Sequence, residues 1–207
     1  MNDLFERRRL ARYLAEHRRE RYCSVSGYRS LKPEMHPLQD EASITLTTTM
    51  KLLWPAARTI LPANYWKPGK IVRLEAFGKA TTDVTAGNYV FEASLGVGDA
   101  PAGLAAGATV AGTVSRTNDT WTAWAYFECV SIATPSTAKF RIWGEWRPVV
   151  SLLASTLQPY LFPATAPADI TVDASLATSS LGFQLQRSGA GVWTALTTNI
   201  IVEEVEG

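Results

Sequence analysis

The sequence predicts an all-β protein: an antiparallel β-sandwich preceded by an N-terminal basic α-helix and an extended arm. Three observations carry that expectation. Seven Arg fall within the first 22 residues, whereas from Ser43 onward the chain is poor in charge and rich in Trp, Thr and Val. Apolar and polar residues alternate with period 2 along that second part, in short runs separated by turn signals. All seven Trp lie there, while both histidines, His17 and His36, lie before it. The organisation that follows is residues 1–42 as helix and arm, and residues 43–207 as one sandwich domain. A body of 165 residues buries roughly 70% of its unfolded surface and needs no covalent staple.

The leading helix is read from its ends inward. Asp3 is an N-cap with Glu6 three residues later, acids where the helix dipole favours them. Residues 4–22 contain no Gly or Pro and are mostly Arg, Leu, Ala and Glu, all good helix formers. Leu10, Tyr13 and Leu14 cluster at i, i+3, i+4, with Leu4 and Ala11 alongside, but Arg8 and Arg18 interrupt the stripe. So narrow a stripe is marginal alone and calls for a partner that receives it. The expected partner interface is Arg7, Arg8, Arg9, Leu10, Arg12, Tyr13, Leu14, Arg18, Arg19 and Arg21. Seven Arg against Asp3, Glu6, Glu16 and Glu20 leave +3 on residues 1–22. The interleaved acids argue against nucleic acid and anionic lipid, and for a helix docked on a protein through ion pairs. Residues 23–42, with Gly27, Pro33 and Pro37 and little periodicity, read as an extended arm.

The body then reads as strand after strand. Residues 44–50 are Thr-rich. Val72, Leu74 and Ala76 share a face opposite Ile71, Arg73 and Glu75; Tyr89, Phe91, Ala93 and Leu95 share another. Trp124, Tyr126, Glu128, Val130 and Ile132 form one face, on which Trp124 is read as core. Phe140, Ile142 and Gly144 alternate with Lys139, Arg141, Trp143 and Glu145, so that Trp143 is expected to face out. Ile170, Val172, Ala174 and Leu176, then Leu181, Phe183 and Leu185, continue the pattern, and residues 193–205 close the chain. About eight strands in such a body fit a jelly roll or a related sandwich. Two stretches break the alternation. Residues 52–69 hold Pro55, Pro62 and Pro68, a structured loop with one helical turn near residues 56–58. Residues 149–167 hold Pro159, Pro163 and Pro167 and read as a surface crossing. Both either cap the ends of the sandwich or lie at subunit contacts.

Catalysis is disfavoured. A Ser or Cys nucleophile needs a rigidly held imidazole, and the body has no His. Two cysteines, Cys23 and Cys129, cannot complete a zinc site, and a buried plus a solvent thiol is preferred to a disulfide. The body's carboxylates are scattered singly, apart from Glu203, Glu204 and Glu206; neither a metal nor another cofactor is expected. Gly96-Val97-Gly98 with Gly103 lacks the third Gly and the following helix of a phosphate loop and reads as a hairpin. Glu75, Glu92, Glu128 and Glu145 are the candidate strand carboxylates for a glycosidase pair, which needs two carboxyls roughly 5–9 Å apart. The plain alternative pairs them with Arg73, Arg141 or Arg147, or leaves them on an outward strand position. Asn118-Asp119-Thr120 matches a glycosylation sequon but is read as a turn. No apolar stretch follows the N-terminus to act as a signal peptide, and no run spans a bilayer; the chain is expected to be made in a cytoplasm.

The body resembles the jelly-roll virion proteins of tailed bacteriophages, either capsid decoration (cement) or minor structural proteins. The carrying residues are Ile60-Leu61-Pro62-Ala63-Asn64-Tyr65 with Pro68-Gly69, then Ile71-Val72-Arg73-Leu74-Glu75-Ala76-Phe77-Gly78. Tyr89-Val90-Phe91-Glu92-Ala93-Ser94-Leu95-Gly96 follows, and Leu181-Gly182-Phe183-Gln184-Leu185-Gln186 leads to Asn199-Ile200-Ile201-Val202-Glu203-Glu204. The resemblance covers most of residues 43–207 and leaves the Arg-rich helix out. It implies a non-enzymatic subunit on the capsid surface of a virion, made in the host cytoplasm, contacting the major capsid protein or other virion subunits. It also implies a homo-oligomer, a trimer above all. The alternative is a phage tail or receptor-binding β-domain recognising a host glycan through exposed Trp.

Overall fold

The computed structural model describes residues 42–97, 102–134, 137–149, 159–172 and 178–206. The helix and arm, with the ten expected interface residues from Arg7 to Arg21, His17, Cys23 and His36, lie outside the described residues.

The described residues form two antiparallel sheets. The seven-stranded sheet runs β1 (Ile44–Leu46), β13 (Trp193–Glu206), β4 (Ile71–Thr82), β8 (Arg116–Thr134), β9 (Thr137–Pro148), β10 (Tyr160–Phe162), with β11 (Ile170–Val172) also on β9. The six-stranded sheet runs β2 (Lys51–Leu52), β12 (Ser179–Ser188), β5 (Gly87–Val97), β6 (Ala102–Ala106), with β3 (Ile60–Leu61) on β12 and β7 (Val110–Gly112) on β5. They pack as a sandwich. The regular strands are those with the cleanest alternation: along β4 every second residue from Val72 to Thr82 is buried and those between are half-exposed. β-branched and aromatic residues suit such a half-buried pleated surface.

The core is aromatic. Phe91 of β5 lies at its centre, stacked on Trp146 of β9 at 5.3 Å and facing Phe183 at 5.1 Å, Phe162 at 5.5 Å and Trp121 at 6.3 Å. These rings come from both sheets, so Phe91 joins the two layers. Small residues make the room. Gly144 sits opposite Ala125 and Phe162, and a Cβ there would stand 2.1 Å from the Trp124 carbonyl oxygen and 2.8 Å from the Phe162 ring.

One expectation is overturned on β8. Trp124 is not core: Trp121, Ala123, Ala125, Phe127 and Cys129 are buried, and Trp124, Tyr126 and Glu128 lie on the outer face. The cause is register. Ala123, Ala125 and Phe127 sit opposite Ala76, Leu74 and Val72 of β4, whose inward parity is fixed, and residues directly opposite share a face. The Thr-rich stretch at residues 44–50 is strand only at Ile44–Leu46.

The two proline-bearing stretches also resolve. Leu53, Trp54, Leu61 and Trp66 are buried, so the first stretch closes the sandwich with its apolar side chains. It contains the expected turn, a 3-10 helix at Ala56–Thr59. Trp66 Nε1 donates to Ser179 Oγ at 3.0 Å, and Thr197 Oγ1 donates to the Leu53 carbonyl at 2.9 Å. The second stretch contains β10 paired on β9. The strands flanking the Gly-rich segment, β5 and β6, pair antiparallel, with Leu95 opposite Ala102.

Candidate interaction face on the seven-stranded sheet

The outer face of β4, β8, β9 and β13 gathers aromatic and charged side chains in rows set by register. One row runs Glu203, Arg73, Tyr126, Trp143 across four strands. The next runs Ile201, Glu75, Trp124, Glu145 and ends at Leu161 of β10, which is 62% exposed. Tyr126 stacks on Trp143 at 5.5 Å, and Trp124 meets Tyr126 edge-on at 5.4 Å. All three rings are half-buried. Stacking against each other holds them at fixed angles, with ring area still open to solvent.

Ion pairs frame the rings. Arg73 reaches Glu75 at 2.8 Å and Glu203 at 3.8 Å. Arg141 reaches Asp169 at 2.9 Å and Glu128 at 3.6 Å. Glu145, nearly buried, accepts from Trp124 Nε1 at 2.6 Å and pairs with Arg147. The more exposed pairs, those of Arg73 and Arg141, stabilise the fold by only about 0–1 kcal/mol each. Their larger effect is to order long side chains beforehand, which lowers the entropy cost of docking.

Of the four candidate carboxylates, Glu75, Glu128 and Glu145 pair with Arg73, Arg141 and Arg147, the partners expected from sequence. Glu92 lies apart, on β5 of the other sheet opposite Gln184. Burial pushes its carboxyl above the usual range. Cys129 is buried in β8, and burial, then the Glu128 charge, pushes its thiol up to about 11. Tyr89 is raised chiefly by burial. Asp83 is lowered because the backbone N–H groups of Val192 and Thr85 donate to it. Asn118 takes a left-handed φ of 56° near the start of β8, and Asp119 accepts from Arg116 Nε at 2.7 Å.

Among the described residues no group of three or more His, Cys, Asp or Glu could hold a metal ion, and no helix is long and apolar enough to cross a membrane. Sequence reading found Trp143 as outward-facing but missed Tyr126 as its neighbour, and Leu161 and Ile201 as the ends of the next row on the same face. Only cross-strand register brings those four together. No protein-family model, curated protein or solved structure matches this chain.

Proposed function

We propose that this chain is a bacteriophage structural protein, a capsid decoration or cement subunit. In this reading it stabilises the head shell through its jelly-roll-like sandwich and its basic N-terminal arm, without catalysing a reaction. The observation that carries the reading is the outer face of the seven-stranded sheet. Trp124, Tyr126 and Trp143 are held in place by one another and framed by neutralised charges. Such a patch suits burial against a protein: aromatic anchors supply most of the contact energy, and a polar rim excludes water around them. The arm would add a second contact and raise the effective concentration of the first. The resemblance stated from sequence favours assembly in threes on the shell.

The test is to locate the protein on its particle with a labelled antibody fragment in electron micrographs. Label over the head surface supports the proposal; label confined to the tail, or absent from particles, refutes it. Two variants then apportion the contact. Trp124→Ala/Trp143→Ala should lower occupancy on heads at unchanged circular dichroism, and removal of residues 1–22 should do the same independently.

A second reading has its own observation. Ring faces flanked by Glu145, Arg147 and Glu75 also suit stacking on a sugar, with carboxylates and guanidinium groups to bond its hydroxyls. Reproducible binding on a glycan array, lost in Trp143→Ala, together with no affinity for heads, selects that reading over the first.

A further inference from the structure

One edge of the seven-stranded sheet, unpaired over most of its length among the described residues, points to a partner of definite kind. β13 is paired with β4 along its length, but on its other side β1 covers only Trp193, Thr194 and Ala195. Among the described residues no strand pairs with that side of residues 196–206. Within it, bulges at Thr198 and Val205 bracket a regular stretch, residues 199–204. The middle of that stretch is Ile200-Ile201-Val202, half-exposed on both faces of the sheet. An edge of this composition, with no Lys or Pro in it, is a template for another strand.

We infer that this edge takes a second copy of itself, antiparallel, about a two-fold axis at Ile201. Antiparallel pairing about such an axis keeps like faces together, so pairs join residues of equal parity. Centred on Ile201, it sets Ile201 against Ile201, Ile200 against Val202, and Asn199 against Glu203. Shifting the centre to Val202 would instead set Ile201 against Glu203 and Ile200 against Glu204, apolar against charged. The Ile201 register also keeps every acid from facing an acid. The remaining charge is already compensated within each copy, Glu203 by Arg73 at 3.8 Å and Glu204 by Lys70 at 3.2 Å. The surface is self-complementary, as a two-fold contact requires.

The inference stands apart from the proposed shell contact. It concerns the backbone edge of β13, where Ile201 ends one row of that face, rather than the patch of Trp124, Tyr126 and Trp143, and it would join copies in twos even where another surface groups them in threes. Five residue pairs make a small interface, so the association is weak and concentration-dependent.

Sedimentation equilibrium on the full chain tests it, over a concentration series, together with mild oxidation of Cys23→Ser/Ile201→Cys. The expected mass rises from 22.6 kDa toward twice that value, the Cys variant forms a cross-linked dimer, and Ile201→Arg stays monomeric in the same range with unchanged circular dichroism. A monomer at every concentration overturns it, as does an oligomer in which the Cys variant does not cross-link. Concentration-independent protection from hydrogen exchange, in a monomer, of those amides among 199–203 that point away from β4 also overturns it, since the chain's own leader would then cover the edge. Should Ile201→Arg fail to fold, cross-linking alone decides.

Discussion

Replacing Phe91 by Ala should be the most damaging single truncation in the sandwich interior. The ring is 2% exposed and touches Trp121, Trp146, Phe162 and Phe183, residues of both sheets. A buried Phe→Ala change costs about 3–5 kcal/mol through lost transfer energy and the residual cavity. Four ring contacts place this site at the upper end, because each aromatic pair adds about 0.5–1.5 kcal/mol beyond area. Against a total stability of about 5–15 kcal/mol, such a loss is a large share. With a denaturation slope of about 4 kcal/mol/M in guanidinium chloride, the unfolding midpoint should fall by roughly 1 M. Intrinsic Trp fluorescence reads the transition directly, since Trp121 and Trp146 flank the cavity. The control is Trp143→Ala, which loses outer-face burial and one stack on Tyr126 and should shift the midpoint by less than half as much. A fall of under about 0.5 M for Phe91→Ala would correspond to ~2 kcal/mol and would mean that the two sheets do not close on this ring.

Four further outcomes follow from single groups. Gly144→Ala should destabilise by about 1–3 kcal/mol or more through overpacking, because its Cβ meets the Trp124 backbone at 2.1 Å; a neutral melt would show that β9 does not sit against β8 as described. Cys129, with a thiol pushed up to about 11 and no solvent access, should resist alkylation in the native protein and react on unfolding; peptide mass spectrometry reads this, and native labelling would contradict it. Glu92 has a folded-state pKa raised by burial, so the stability linked to its neutral form is present at low pH and lost as pH rises through that value. Glu92→Gln should therefore melt higher than the parent near about pH 8 and equally near about pH 4; equal melts at both would refute the burial. Asp83 has a lowered pKa, its carboxylate holding the Val192 and Thr85 backbone N–H groups. Its contribution is present above the unfolded value and lost as pH falls through the folded one, so Asp83→Asn should flatten the acid limb of the stability profile; an unchanged limb would rule that out.

Much of the candidate face was legible in local sequence, and the reason it was not wholly so is specific. Arg73 with Glu75 and Glu145 with Arg147 lie two residues apart on one strand, so period 2 alone places each pair on one face. Arg141 with Glu128 joins two strands, so local period cannot pair them; the register that sets them opposite one another does. Trp124 failed because both faces of β8 carry large apolar side chains. Its place on an apolar run reads as core, yet the inward face is the one with Ala123 and Ala125, which sit opposite Ala76 and Leu74 of β4.

The sequence by itself determined the all-β class, most of the long strands and their parity, and the charge pattern of the outer face. These depend on contacts a few residues apart, where backbone geometry fixes which side chains align. Tertiary structure alone decided the inward face of β8, the row from Ile201 to Leu161 and the side of β13 on which no described strand pairs beyond β1. Each depends on which distant strand lies alongside and in what register, and that choice is made by the packing of the whole sandwich, not by any local run of residues.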